Sequence, residues 1–192
     1  MDVALDAMYG WLARHTHASK DDVVVDTGSG LSYHTRITAH ELVSVVRSAA
    51  GFDGGGDPAL ARAWTDSLAV AGRDGTLTRR FRTPDVRGRI RGKTGTLSTV
   101  IALSGVLDVD PARPLAFALV TNGDTPLSKA YVRKAHEQLV ALLCKYLVKT
   151  TKAAAAPTVQ PPPVEAAHPQ PADDLEEAAP DAELDAEAAG QK

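Results

Sequence analysis

Two strand-like segments of this chain are apolar on both faces, and no other feature constrains the fold as strongly. In residues 98–107 apolar side chains occupy both alternating sets, with Ile101, Leu103 and Leu107 on one face and Val100, Ala102 and Val106 on the other. Residues 115–121 repeat the pattern, with Leu115, Phe117 and Leu119 opposite Ala116, Ala118 and Val120. Strands that are apolar on both sides are normally covered on both faces. We therefore expect a sheet with other elements packed on each side of it.

Turn-forming residues indicate that these two strands pair directly. The connection 108–114 is short and contains Pro111 and Pro114, which is typical of an antiparallel hairpin. Residues 89–96 form a third candidate strand, and the short apolar run 22–26 forms another. The sequence thus predicts an antiparallel sheet.

Helical patterns lie before and after the strands. We expect a helix over residues 3–15, a helix from the capping box Thr38 to Glu41 that ends at Gly51, and one from Asp57-Pro58 through Leu68. A long helix follows Pro126 to about Lys149, and its predicted apolar stripe is Val132, Ala135, Leu139, Leu142, Leu143 and Tyr146. This order predicts an α+β fold with helices against both faces of the sheet.

The composition changes sharply near residue 150. From there on Ala, Pro and acidic residues dominate, with seven prolines and with two lysines against nine acidic residues. Such a segment cannot bury enough apolar surface to fold. We expect a folded domain over residues 1–149 and a disordered tail over residues 150–192.

Several common features are expected to be absent. Cys144 is the only cysteine and lies in an apolar run, so we expect a buried helix residue there and no internal disulfide. No run approaches the ~20 apolar residues of a membrane span. Met1 leads directly into Asp2, with no basic or apolar leader region, so no signal peptide is expected. The histidines are scattered, with His15 and His17 the only close pair, and we expect no metal or cofactor.

The tripeptide Lys93-Thr94-Gly95 carries the clearest chemical signal. A Lys at a strand edge offers a fixed positive charge to a carboxylate, and the neighbouring Thr hydroxyl can add a hydrogen bond. Gly95 lets a substrate backbone lie close, because it has no Cβ. The backbone N–H of Thr96 can stabilise a developing oxyanion. The alternative is an ordinary strand with a solvated Lys and a Gly bulge.

Three motifs in order resemble the S13 peptidase family, the class C low-molecular-mass penicillin-binding proteins. They are Asp26-Thr-Gly-Ser-Gly-Leu-Ser32, Ala71-Gly-Arg-Asp-Gly-Thr-Leu77 and Lys93-Thr-Gly-Thr-Leu97. The resemblance covers residues 1–149. It implies the C-terminal part of the penicillin-binding transpeptidase/β-lactamase-like fold, an antiparallel sheet with helices on both faces.

The resemblance also implies an activity and its residues. Members of this family transfer a peptidoglycan stem peptide ending in D-Ala-D-Ala to an active-site serine and then hydrolyse the acyl-enzyme, and β-lactams acylate the same serine. Ser32 is similar to the second-motif serine that relays a proton to the leaving amine, with Ser29 a less favoured candidate that more plainly shapes the turn. Lys93 is the second catalytic candidate, and the substrate-binding candidates are Thr35, Thr94, Gly95 and Thr96. The resemblance implies a periplasmic location and no nucleic-acid partner.

Two departures from the family pattern affect this interpretation. The second motif lacks its Asn, and Thr35 stands near that place with a hydroxyl that offers fewer hydrogen bonds than an amide. None of the nine serines is followed three residues later by Lys, so the Ser-x-x-Lys motif is not in this sequence. We expect the chain alone to be inactive.

Three interpretations remain open at this stage. The chain is an enzyme fragment, from a truncated gene model or a split carboxypeptidase, whose partner is a missing N-terminal half or another copy of itself. Alternatively, it is a non-catalytic module that binds cell-wall peptide termini through Lys93 and Thr94. The third interpretation is an unrelated interaction protein with chance motifs.

Overall fold

The computed structural model describes residues 2–16, 18, 21–110 and 113–154. Within these ranges the helices are α1 (Asp2–His15), α2 (Ala39–Ala49), α3 (Pro58–Ser67), a short 3-10 helix (Gly75–Leu77) and α4 (Lys129–Ala154). The strands are β1 (Val23–Val24), β2 (Arg36–Ile37), β3 (Ala69–Val70), β4 (Ile90–Thr96), β5 (Val100–Leu107) and β6 (Leu115–Asn122). None of the helices in these ranges has the length and apolar character needed to cross a membrane.

The main sheet has the order β3-β4-β5-β6, and every neighbouring pair is antiparallel. The predicted hairpin is confirmed, with Leu103 opposite Leu119 in the β5–β6 register. The β1–β2 pair forms a separate two-stranded sheet. The prediction missed β2 and β3, because two-residue strands are too short to show a period.

One face of the sheet packs against α4. Leu103, Leu107 and Phe117 share this face by strand alternation and register, and they form one buried cluster with Val140 and Cys144 of α4. The opposite face carries the buried Val106, and α2 packs against β5 and β6 there. The predicted α+β architecture with helices on both faces of the sheet is confirmed.

The predicted helix starts are confirmed at α2 and α3. Thr38 Oγ1 accepts the Glu41 N–H at 3.1 Å, and Asp57 Oδ1 accepts the Ala59 N–H at 2.8 Å. The Glu41 carboxyl does not close a capping box in the described contacts. It is buried, and its Oε2 has no hydrogen-bond partner among the residues that the structure describes.

The predicted stripe of α4 is partly wrong. The buried positions follow a spacing of four, namely Val132, His136, Val140 and Cys144. Leu139, Leu142 and Tyr146 are 55%, 64% and 63% exposed. The pattern failed because His136 counts as polar in the sequence, yet it is buried with Thr121 as a hydrogen-bond partner. The buried position predicted for Cys144 is confirmed.

Helix α4 also continues past its predicted end at Lys149 to Ala154. Residues 155–192 lie outside the described part of the chain. Residues 150–154, which were expected to belong to the disordered tail, are therefore helical, and disorder of residues 155–192 stays a prediction.

Candidate active site

A pair of facing glycines sets the path of β4 just before Lys93. Gly92 lies opposite Gly105 of β5. A Cβ on Gly105 would lie 2.0 Å from the Arg91 carbonyl oxygen and 2.7 Å from Gly92 Cα. The two backbones can approach this closely only because residue 105 has no side chain. The sequence thereby holds the start of the Lys93 segment tightly against the centre of the sheet.

From Lys93 onward, β4 has one free edge in the described part of the chain. The short strand β3 pairs only with Gly92 and Arg91. The Ala71 N–H donates to the Ile90 carbonyl at 2.9 Å, so the backbone polar groups of Ile90 face the β3 side. Because these groups alternate along a strand, those of Thr94 and Thr96 face the same side, beyond the end of β3. The edge therefore offers two residues whose backbone groups no neighbouring strand pairs in the described part of the chain.

Lys93 lies at this edge. Its side chain is exposed, and Nζ donates to the Thr94 carbonyl oxygen at 2.9 Å. Gly95 is exposed as well, and a Cβ there would meet only the Ala102 Cβ, at 3.4 Å. The segment 93–96 thus combines a positive charge, an accessible backbone and a position without a side chain.

The side chains of Thr94 and Thr96 point to the α4 face, opposite to Lys93 and Gly95. Thr94 Oγ1 donates to Thr76 Oγ1 at 3.1 Å, and the Arg133 guanidinium donates to Thr96 Oγ1 at 3.1 Å. A single carboxylate can meet both Lys93 and Thr94 only by approaching along the free edge. Their joint contact with such a carboxylate stays a prediction.

The motif 71–77 braces this strand from the α4 side. Gly72 adopts a left-handed φ of 67°, and Asp74 Oδ1 accepts the Val70 N–H at 2.6 Å. This turn places Thr76 against Thr94. The motif is visible in the sequence, but the role of Thr76 is not, because its contact joins residues 18 positions apart.

The loop that carries Ser32 is held by Asp26. Ser32 Oγ donates to Asp26 Oδ2 at 2.5 Å and accepts the His34 N–H at 3.0 Å. Thr35 Oγ1 accepts the Asp26 N–H at 3.2 Å. Ser29 Oγ accepts the Leu31 N–H at 3.2 Å, which fits the turn-shaping role expected for it. Both polar candidates of the second motif, Ser32 and Thr35, are thus oriented by one aspartate.

Tyr33 joins this loop to the end of β4. Its hydroxyl is 2.7 Å from Ser98 Oγ and accepts the Ser98 N–H at 3.1 Å. These bonds, the one to the Ser98 side chain first, lower the pKa of the Tyr33 phenol. Ser98 lies two residues after Thr96, so the second and third motifs meet at one place, although Ser32 and Lys93 share no direct hydrogen bond. Sequence reasoning missed Tyr33, whose only signal was its position beside Ser32.

Behind the site, α4 is fixed by buried polar contacts. His136 is 5% exposed, and its Nε2 lies 2.9 Å from Thr121 Oγ1. Burial, and secondarily the charge of Arg80, lowers the pKa of His136. The Glu137 carboxylate accepts the N–H of Phe81, a buried residue with a left-handed φ of 54°. No three metal-ligating side chains cluster within the described ranges.

Known proteins resemble this chain over more than half of its length. The model of the D-Ala-D-Ala carboxypeptidase 3 (S13) family matches residues 1–146. Carboxypeptidase DacB of Mycolicibacterium smegmatis is 40% identical over 108 residues, which are 54% of this chain and 23% of that protein. A D-alanyl-D-alanine carboxypeptidase of an Actinomadura species is 39% identical over 106 residues, 53% of this chain and 18% of that protein.

Two further matches extend the comparison. Penicillin-sensitive carboxypeptidase A of Dictyostelium discoideum is 30% identical over 128 residues, 64% of this chain and 24% of that protein. Bd3459, a predatory peptidoglycan endopeptidase from Bdellovibrio bacteriovorus, has a similar fold, with a TM-score of 0.53 and 20% identity over 73% of this chain and 36% of its own. The chain therefore spans about a quarter or less of the length of the curated relatives that it matches.

Proposed function

This chain belongs to the D-Ala-D-Ala carboxypeptidase 3 (S13) family, and we propose that it supplies the second and third motifs of a serine-type D-alanyl-D-alanine carboxypeptidase or endopeptidase. The substrate would be a peptidoglycan stem peptide ending in D-Ala-D-Ala, and β-lactams would act as inhibitors. The single observation that carries this proposal is the free β4 edge at Lys93–Thr96. Peptidoglycan lies outside the cytoplasmic membrane, so we also propose that location, the periplasm in a cell with two membranes.

The geometry of the edge suits an extended peptide. A peptide can add to an open strand edge through main-chain hydrogen bonds. Here the Thr94 N–H and the backbone groups of Thr96 are available for them, and the Thr94 carbonyl oxygen becomes available when the Lys93 ammonium turns to a ligand. The Lys93 ammonium at the same edge would attract the terminal carboxylate. The Thr96 N–H would face the carbonyl oxygen that becomes negative during acyl transfer.

The second motif would transfer the proton that the leaving amine needs. Asp26 holds the Ser32 hydroxyl by a hydrogen bond of 2.5 Å, and the loop is tied to the β4 end through Tyr33 and Ser98. In this assignment Ser32 passes a proton to the leaving D-Ala amine. Thr35 would contact the substrate backbone once its hydroxyl oxygen releases the Asp26 N–H.

The acylating serine and its lysine would come from outside these 192 residues. No serine of this sequence has a Lys three positions later. A nucleophile and its base act as a unit, so loss of either removes most of the rate. We propose that the chain by itself hydrolyses no peptide and that intact-protein mass spectrometry after penicillin treatment shows no added mass. A stoichiometric adduct on any serine would contradict this.

Two surfaces would receive the rest of the catalytic unit. The outer edge of β6 has no strand partner among the described residues. On α4, Leu139, Leu142 and Tyr146 are more than half exposed. Open apolar edges and patches favour association, so the isolated chain should self-associate. A monodisperse, cooperatively unfolding monomer in analytical ultracentrifugation would count against this part of the proposal.

A non-catalytic role in binding peptide termini is the second candidate. One observation favours it: the Thr35 hydroxyl braces the loop by accepting the Asp26 N–H, in place of the amide typical of the family. Binding of a D-Ala-D-Ala peptide to the chain alone, measured by calorimetry, tests the peptide edge without catalysis. Lys93→Ala should weaken this binding by about tenfold or more, since a hydrogen bond to a charged group contributes ~1.5–3 kcal/mol. The exposed Lys149→Ala is the matched control, and equal binding by both variants would refute the role of Lys93.

A further inference from the structure

An arginine-rich pocket lies between the Gly72 turn and the segment that follows the 3-10 helix. Its volume is about 360 Å³, and its lining residues are Gly72, Thr78, Arg79, Arg82 and Arg87. None of these residues belongs to the Lys93 edge or to the Ser32 loop. The pocket shares Gly72 with the motif 71–77 that braces β4, but its three arginines are not part of the candidate active site.

Two glycines, Gly72 in the pocket lining and Gly88 next to Arg87, each receive an arginine side chain. Gly72 has φ +67° and receives the Arg87 side chain, whose Cγ would lie 2.9 Å from a Cβ there. Gly88 has φ +77° and receives the Arg73 guanidinium, 2.6 Å from a Cβ at that position. The Gly88 N–H donates to the Ala71 carbonyl at 2.9 Å and ties the two turns together. Any side chain on either glycine would displace an arginine.

Arg87 is oriented by the backbone. Its Nε donates to the Gly72 carbonyl oxygen at 3.2 Å. This bond uses one of the five N–H donors of the guanidinium and fixes the plane of the group. The donors on its two terminal nitrogens remain for a ligand.

The nearby carboxylates are already engaged elsewhere. Asp74 caps the Val70 N–H, and Asp85 pairs with Lys145 at 3.2 Å. Glu137 takes the Phe81 N–H and pairs with Arg80. Arg79, Arg82 and Arg87 form no ion pair within the part of the chain that the structure describes. Three like charges around one pocket repel one another unless an anion joins them.

We propose that this pocket binds a phosphate group. Guanidinium groups match phosphate oxygens in pairs. A carboxylate offers two oxygens, whereas a phosphate offers three or four, which suits three arginines from different positions better. The ligand is either a free phosphate compound or the phosphate of an anionic lipid headgroup, and the chemistry of the pocket is the same for both.

The test compares two double variants of the 192-residue chain with equal loss of charge. Arg79→Gln/Arg82→Gln removes two lining arginines whose side chains form no hydrogen bond or ion pair among the described residues. Arg62→Gln/Lys149→Gln removes two exposed cations elsewhere. Inorganic phosphate binding is measured by ³¹P NMR titration and calorimetry at fixed ionic strength, and far-UV circular dichroism checks that both variants keep the parent fold.

The parent and the Arg62/Lys149 variant should bind inorganic phosphate alike, and the Arg79/Arg82 variant at least about tenfold more weakly. Cosedimentation with phosphatidylglycerol vesicles, against phosphatidylcholine vesicles, identifies the source. Vesicle binding that is lost only in the Arg79/Arg82 variant supports a lipid headgroup, and phosphate binding without vesicle binding supports a soluble phosphate compound. If the parent binds neither probe, or if both double variants lose binding equally, the proposal is wrong.

Discussion

The close approach of β4 and β5 at Gly92 and Gly105 makes a sharp prediction about stability. In Gly105→Ala the new Cβ would sit 2.0 Å from the Arg91 carbonyl oxygen and 2.7 Å from Gly92 Cα. Both atoms belong to the backbone, so no side-chain rotation can relieve the clash. The strands must separate by more than about 1 Å to restore ordinary contact distances.

The magnitude follows from two contributions. Overpacking a filled core costs about 1–3 kcal/mol, and the separation also weakens one or two ladder hydrogen bonds at about 1 kcal/mol each. We expect Gly105→Ala to lower the free energy of unfolding by about 2–5 kcal/mol, against a total of about 5–15 kcal/mol for a typical domain.

Gly95→Ala is the matched control. It makes the same chemical change in the same strand pair, but its Cβ would meet only the Ala102 Cβ, at 3.4 Å. Both variants restrict the unfolded chain equally, so their difference isolates the clash. Gly95→Ala should change stability by less than about 1 kcal/mol.

The assay is urea unfolding followed by far-UV circular dichroism, with soluble yield recorded for each variant. Equal unfolding midpoints for Gly105→Ala and Gly95→Ala would refute the close backbone approach. In that case the Gly92–Gly105 approach would also not account for the position of Lys93.

Three further predictions concern groups around the site. Burial lowers the pKa of His136 in the folded chain below the ~6.5 of an unfolded one, so the stability from its neutral form should be full above that pH and fall as the pH drops toward 5. In His136→Gln the melting temperature should therefore change less between pH 7.5 and 5.5 than in the parent, and an equal change in both proteins would contradict this. Cys144 is fully buried, and burial raises the pKa of its thiol. Iodoacetamide should therefore alkylate it at least about 100-fold more slowly in the native chain than in the urea-unfolded chain, and comparable rates would refute its position in the core. Tyr33→Phe removes both bonds to Ser98 from an exposed loop, so it should lower stability by less than about 1 kcal/mol. It should also slow penicillin acylation once a Ser-x-x-Lys-bearing segment of a relative is supplied to the chain, and an unchanged acylation rate would mean that the link between the motifs has no functional role.

The sheet could be predicted from the sequence because its signal is local and repeated. Apolar residues on both faces of 98–107 and 115–121 indicated the two strands, and the short, turn-rich connection 108–114 indicated their pairing. Thr38 and Asp57 marked helix starts through side-chain bonds that span only two or three residues. Each of these interactions is encoded within a few positions of the chain.

The face of α4 could not be predicted in the same way. His136 is polar by type, and only its contact with Thr121 of β6 makes its burial favourable. Because α4 turns its His136 side toward β6, Leu139 and Leu142 are left exposed. Tertiary context, and not periodicity, selects the buried row.

The hydrogen bonds that connect the segments of the candidate site could not be predicted from the sequence either. Tyr33 meets Ser98 across 65 positions, and Arg133 meets Thr96 across 37. Motif resemblance identified Ser32 and Lys93, but it carries no information about the residues that hold their segments together. Those residues became visible only with the folded chain.

The most direct test of the central claim is the rate of fluorescent-penicillin labelling after a Ser-x-x-Lys-bearing segment of a relative is joined to this chain or added in trans. Lys93 would face the carboxylate that both penicillin and a D-Ala-D-Ala terminus present. Lys93→Ala should therefore slow labelling by roughly 10- to 100-fold, Ser32→Ala should slow it severely, and Thr35→Ala should slow it about tenfold or less. Labelling of the Lys93→Ala variant at the parental rate would contradict the assignment of the peptide-binding edge and the function proposed for it.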